Sequence, residues 1–107
     1  KLRLGAYMAV LTFNVAPDSV ICAVYEDGGC REHGVFEAPE TKEALLLRMQ
    51  RMARLYGTLY ALTGVGVSLA NDQDVVAEDL QTTLQLPVLV TTCEDEAALA
   101  QRTLVAF

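Results

Sequence analysis

One histidine, three cysteines and eight basic residues are all that this 107-residue chain offers to several kinds of chemistry. With His33 as the lone imidazole, no nucleophile–base pair of the Ser-His or Cys-His kind can be argued from the sequence. Cys30 and His33 place two potential metal ligands in one strand, and a zinc site needs more, so no metal is expected. Cys22, Cys30 and Cys93 are odd in number and irregular in spacing. They read as reduced cysteines of a cytosolic protein, not as a disulfide framework. The net charge of −6 argues against a grip on nucleic acid, because phosphates are held by clustered Lys and Arg. The one basic stripe, Arg48, Arg51 and Arg54, lies along one side of a predicted helix. It reads as a solvated face, with an anion or partner contact as the alternative.

Long apolar runs are also missing. None approaches the roughly 20 residues needed to span a bilayer. Lys1-Leu-Arg-Leu shows no cleavage-site logic, so neither a signal peptide nor a membrane partner is expected, and a cytoplasmic location follows. The sequence begins with Lys1 instead of Met, which hints at a fragment or a processed chain.

What is present is apolar. Hydrophobic residues make up 52% of the chain, which excludes disorder, and the length allows a single domain with a modest core. Tyr7 to Val15 reads as a strand stopped by Ala16-Pro17-Asp18, and Ser19 to Glu26 as a second. Asp27-Gly28-Gly29 supplies residues tolerant of positive φ for a tight hairpin, and Cys30 to Glu37 is a weaker third strand. Pro39-Glu40-Thr41 opens a helix with Thr41 as its N-cap. Its apolar face is Leu45, Met49, Met52 and Tyr56, and Gly57 is its predicted stop.

Leu59 to Leu69 is nearly continuously apolar, as in a strand buried on both faces of a parallel sheet. Gly64 and Gly66 within it imply that another backbone or a ligand approaches closely. Asn71-Asp72-Gln73-Asp74 punctuates, and Val76, Leu80 and Leu84 mark a short helix ended by Pro87. Val88 to Val90 forms the next strand. Thr91 and Glu94 have the offset of a capping box for a last helix running toward Val105. Glu94, Asp95 and Glu96 read chiefly as capping acids that complement the helix dipole. The order βββαβαβα predicts an α/β fold with a mixed five-stranded sheet, matching the ribonuclease H-like subdomain of the actin and sugar-kinase superfamily.

Three stretches carry a more specific likeness. They are Leu11-Thr12-Phe13-Asn14 with Val20 to Gly28, then Gly64-Val65-Gly66-Val67-Ser68-Leu69-Ala70-Asn71, and finally Leu86-Pro87-Val88 through Cys93 with Ala97-Ala98-Leu99-Ala100-Gln101. In order and spacing the chain resembles the N-terminal half-domain of the ROK family of bacterial sugar kinases and sugar-responsive transcriptional repressors. The resemblance covers residues 1–107 as one half-domain. It implies a first-strand aspartate, where Thr12 stands here, and an aspartate acting as general base at the head of the last helix, where Cys93 stands. A phosphate-cradling glycine turn is lacking after Phe13, and the Pro-Gly of the sugar loop is replaced at Leu69-Ala70.

Catalytic residues and a cofactor are therefore not expected. The resemblance implies a non-catalytic effector half-domain of a sugar-responsive regulator, with a divergent hexose kinase fragment as the alternative. DNA would be reached only through a separate N-terminal helix-turn-helix. A sugar, if bound, would meet Ser68, Asn71, Thr91, Thr92 and Cys93, where two strand ends open into helices. A second lobe or self-association would cover that edge.

Overall fold

A computed structural model describes residues 8–69, 77–92 and 95–107. Its elements run β1 (Ala9–Val15), β2 (Ser19–Glu26), β3 (Gly29–Glu37), α1 (Lys42–Leu59), β4 (Leu62–Leu69), α2 (Ala77–Leu84), β5 (Val88–Thr91) and α3 (Glu96–Ala106). The order is the one predicted. The strands form one mixed sheet in the order β3-β2-β1-β4-β5. β1–β2 and β2–β3 are antiparallel, whereas β1–β4 and β4–β5 are parallel.

Strand alternation explains how this sheet is covered on both faces. Ala9, Leu11, Phe13 and Val15 of β1 join Val20, Cys22 and Val24 of β2 and Val65, Val67 and Leu69 of β4. That face packs on Leu45, Met49 and Ala53 of α1 and on Leu80 and Leu84 of α2. The opposite face carries Val10, Thr12, Gly64 and Gly66, and α3 lies over it. β1 is buried along nearly its whole length because it sits mid-sheet between the two layers.

Local chemistry sets most of the boundaries. Asp27 and Gly28 have φ of 53° and 79°, the positive pair that a two-residue type I′ hairpin turn requires. Thr41 caps α1 by accepting the Ala44 N–H at 3.1 Å. Thr41→Ala should therefore cost about 1 kcal/mol, read as a lower urea midpoint at unchanged m value, with Thr41→Asp retaining most of the stability.

Three predicted boundaries move. Gly57 lies inside α1, which continues to Leu59 and ends at Tyr60 in extended conformation. A glycine stops a helix where it turns left-handed, and Gly57 does not. The Tyr60 hydroxyl instead donates to Glu32 at 2.7 Å, tying the helix end to β3, so β4 starts at Leu62 and not at Leu59. The last helix is capped by Asp95, which accepts the Ala97 N–H at 3.0 Å. Thr91 is the final residue of β5 and is not the N-cap of α3. α2 ends as expected before Pro87, with Gln85 at φ 59°. The Asn71 to Asp74 turn, Val76 and Glu94 lie outside the described residues. No helix among the described residues is long and apolar enough to cross a membrane.

Candidate functional site

Because β1, β4 and β5 run parallel, their carboxyl ends gather on one edge of the sheet. Open α/β sheets present ligand-binding groups at such an edge. The register sets Asn14 of β1 opposite Ser68 of β4, and Ser68 opposite Thr91 of β5. By alternation from Thr12 and Gly66, all three belong to the face that α3 covers. Ser68 is buried, Thr91 half-buried and Thr92 exposed. Two of the predicted residues, Ser68 and Thr91, are thus brought side by side, with Thr92 directly following. Asn71 and Cys93 lie outside the described residues.

Two further side chains belong to this edge and were not anticipated. Asn14 extends the row onto β1. Arg102 of α3 donates from Nη1 to Oγ1 of Thr91 at 3.4 Å. A signal existed for each in the sequence. Asn14 is a polar break in an apolar run just before Ala16-Pro17, and Arg102 is the sole basic residue after Arg54.

Thr12 is not at the edge. It is fully buried in mid-strand beneath α3, and its hydroxyl donates across to the Ala23 carbonyl at 3.4 Å. The residue of β1 that reaches the edge on that face is Asn14, two positions later.

Gly64 and Gly66 are closely approached, as their place in a strand implied, but by α3 and not by a ligand. A Cβ on Gly66 would overlap the Thr103 hydroxyl and come within 3.2 Å of Leu99 Cδ1, and one on Gly64 would overlap the Phe107 ring. The two glycines let α3 settle onto β4 and so fix where Arg102 projects.

Both described acids at the head of α3 are engaged. Asp95 is the cap, and Glu96 lies 2.8 Å from His33 Nε2, linking α3 to β3. Cys30 Sγ contacts the Glu32 carbonyl at 3.3 Å, so Cys30 and His33 are engaged separately. Among the described residues no three His, Cys, Asp or Glu side chains gather as a metal-holding group. Of the basic stripe, Arg48 stacks 4.3 Å from the centroid of the Phe36 ring. A cavity of about 180 Å³ between α3 and the β2–β3 turn, lined by Met8, Val10, Tyr25, Asp27, Ala97 and Gln101 among others, includes the amino end of β1 and not this edge.

Solved structures share this architecture. A ROK family glucokinase from Streptomyces griseus, crystallised with glucose and AMPPNP, superposes with a TM-score of 0.65 at 13% identity, over 77% of this chain and 32% of the kinase. A ROK hexokinase from Thermus thermophilus gives 0.65 at 14% identity, over 78% of this chain and 33% of the enzyme. A Bacteroides thetaiotaomicron protein with an actin-like ATPase fold gives 0.51 at 14%, over 77% and 32%. No protein-family model matches the sequence, and no curated protein matches it. The fold is the one these sugar kinases share with the actin-like ATPase-fold protein, and the ROK resemblance read from the sequence holds at the level of that fold. The chain spans about a third of the length of the two kinases.

Proposed function

We propose that this chain is a ROK-type N-terminal half-domain whose phosphoryl-transfer chemistry has been lost and which serves as the effector half of a sugar-responsive transcriptional regulator. The observation that carries the reading is the composition of the strand edge. Asn14, Ser68 and Thr91 stand in register there, and none is a carboxylate. Transfer of a phosphoryl group to a sugar hydroxyl calls for a base to take the hydroxyl proton and for groups that hold a metal nucleotide. An amide and two hydroxyls can hydrogen-bond a sugar without doing either. The sequence places Cys93 and not an aspartate at the start of the last connection, which points the same way. The glucose-bound glucokinase with this fold makes a sugar the natural ligand to test.

The experiment is a coupled ATP-dependent phosphorylation assay over a hexose panel, run on the full reading frame that contains these residues. The expected result is no turnover above background. Turnover that disappears on Cys93→Ala would overturn the proposal in favour of a divergent kinase. A helix-turn-helix encoded upstream in the same frame is the second expectation, since DNA contact would have to come from such a segment.

A further inference from the structure

Among the described residues the strand edge holds one cation, Arg102, and no carboxylate is paired with it. Arg102 donates a single hydrogen bond, 3.4 Å long, to the Thr91 hydroxyl. It makes no ion pair among the described residues. The acids on its own helix are used elsewhere, Asp95 in capping Ala97 and Glu96 against His33. Other arginines are different. Arg31 pairs with Glu26 at 3.5 Å and Arg48 lies over Phe36, while Arg51 and Arg54 sit on α1, the helix that packs against the other face. In a chain of net charge −6, a guanidinium beside a row of neutral hydrogen-bonding groups is a specific feature of this edge.

We propose that the ligand of this edge is an anionic sugar, a polyol bearing a phosphate or carboxylate group, and that Arg102 reads its charge. The proposal rests on the sugar-binding reading given above and narrows the substrate class. Asn14, Ser68 and Thr91 match the donor and acceptor pattern of sugar hydroxyls. Arg102 matches a planar or tetrahedral oxyanion, which its fork of N–H groups can engage with two parallel bonds. Thr91 joins the two halves of the site, because its hydroxyl sits both in the strand row and against the guanidinium. Arg102 is exposed, so its attraction is screened by salt, and the charge-reading part of the affinity falls as ionic strength rises.

The test is thermal shift and calorimetry with glucose, glucose 6-phosphate, gluconate and inorganic phosphate. The proteins compared are wild type, Arg102→Gln, Arg102→Lys and Thr91→Val. Glucose 6-phosphate or gluconate should bind roughly tenfold or more tightly than glucose to the wild type, and Arg102→Gln should remove that preference. Arg102→Lys should retain part of it, because the charge stays while the fork is lost. The ligand-free melting temperature of Arg102→Gln should match the wild type, since the side chain is exposed. Which of the two anionic sugars binds better separates phosphate from carboxylate recognition. If glucose binds as well as either and Arg102→Gln changes nothing, this inference fails while sugar binding stands. If no sugar binds at all, both readings fail. If inorganic phosphate alone stabilises as well as glucose 6-phosphate, the site takes an anion without the polyol, which overturns the proposal.

Discussion

Gly66→Val should lower the melting temperature by more than about 10 °C, or prevent folding altogether. Gly66 lies in the central parallel pair, with Thr12 on one side and Leu89 on the other. A Cβ there overlaps the Thr103 hydroxyl and reaches 3.2 Å from both Thr103 Cβ and Leu99 Cδ1. Thr103 cannot swing away at no cost, because it is fully buried and its hydroxyl donates to the Leu99 carbonyl at 2.7 Å. α3 would have to lift off β4. One extra methyl forced into a packed core costs about 1–3 kcal/mol, and the three carbons of valine should exceed that. Gly66→Ala should sit at about 2 kcal/mol, and Thr103→Ala in the same chain should recover part of it by removing the overlapping oxygen. A double-mutant cycle by urea unfolding measures this coupling. Gly57→Ala supplies the contrast. That glycine is exposed in the last turn of α1 with nothing near its missing Cβ, so the same change there should stabilise by up to about 0.5–1 kcal/mol. Equal and small effects at both glycines would show that α3 does not rest on β4 as described.

The same contact explains why part of the candidate site could not be read from the sequence. Turn chemistry made β2 legible to the residue, since Ala16-Pro17-Asp18 and Asp27-Gly28 bound it on both sides. The order of elements was legible for a similar reason, because each change of hydrophobic period falls beside a turn or cap. Register was not. Thr12 and Asn14 have the same alternation parity, so the pattern cannot say which of them reaches the edge. Pairing with β4, more than fifty residues away in sequence, decides it. Arg102 was hidden more deeply. The turn of α3 that faces Thr91 depends on the helix's rotation over the sheet, which the packing of Leu99, Thr103 and Phe107 onto the two glycines sets. The α1 terminus was misplaced because Tyr60 is drawn off by Glu32, a tertiary hydrogen bond that no local signal announces.

The strongest pH dependence of stability should lie on the alkaline side. Cys22 is buried in the core beneath α1, and burial pushes its thiol from the usual 9.0 up to about 12, with Arg48 opposing this to a lesser degree. Since the folded value is raised, the unfolded chain gives up this proton first. The stabilising contribution is therefore complete below about pH 9 and is lost as the pH rises toward 12. The difference corresponds to at most about 4 kcal/mol by the top of that window, a large share of the stability of a small domain. Tyr25 and Tyr56 are also raised, chiefly by burial, and Tyr60 is pushed up to about 12, chiefly because its hydroxyl donates to Glu32. All of these push in the same direction. Urea midpoints should accordingly hold steady from pH 7 to 9 and drop steeply between pH 9 and 11. Cys22→Val keeps an apolar group of similar size and removes the titrating thiol, so its midpoint should fall less over that interval whatever its value at pH 7. A thiol reagent at pH 8 should label exposed Cys30 readily and leave Cys22 untouched until the protein is unfolded. An alkaline slope identical in wild type and Cys22→Val would mean that the tyrosines alone carry the effect, and rapid labelling of Cys22 in the folded chain would place that side chain outside the core.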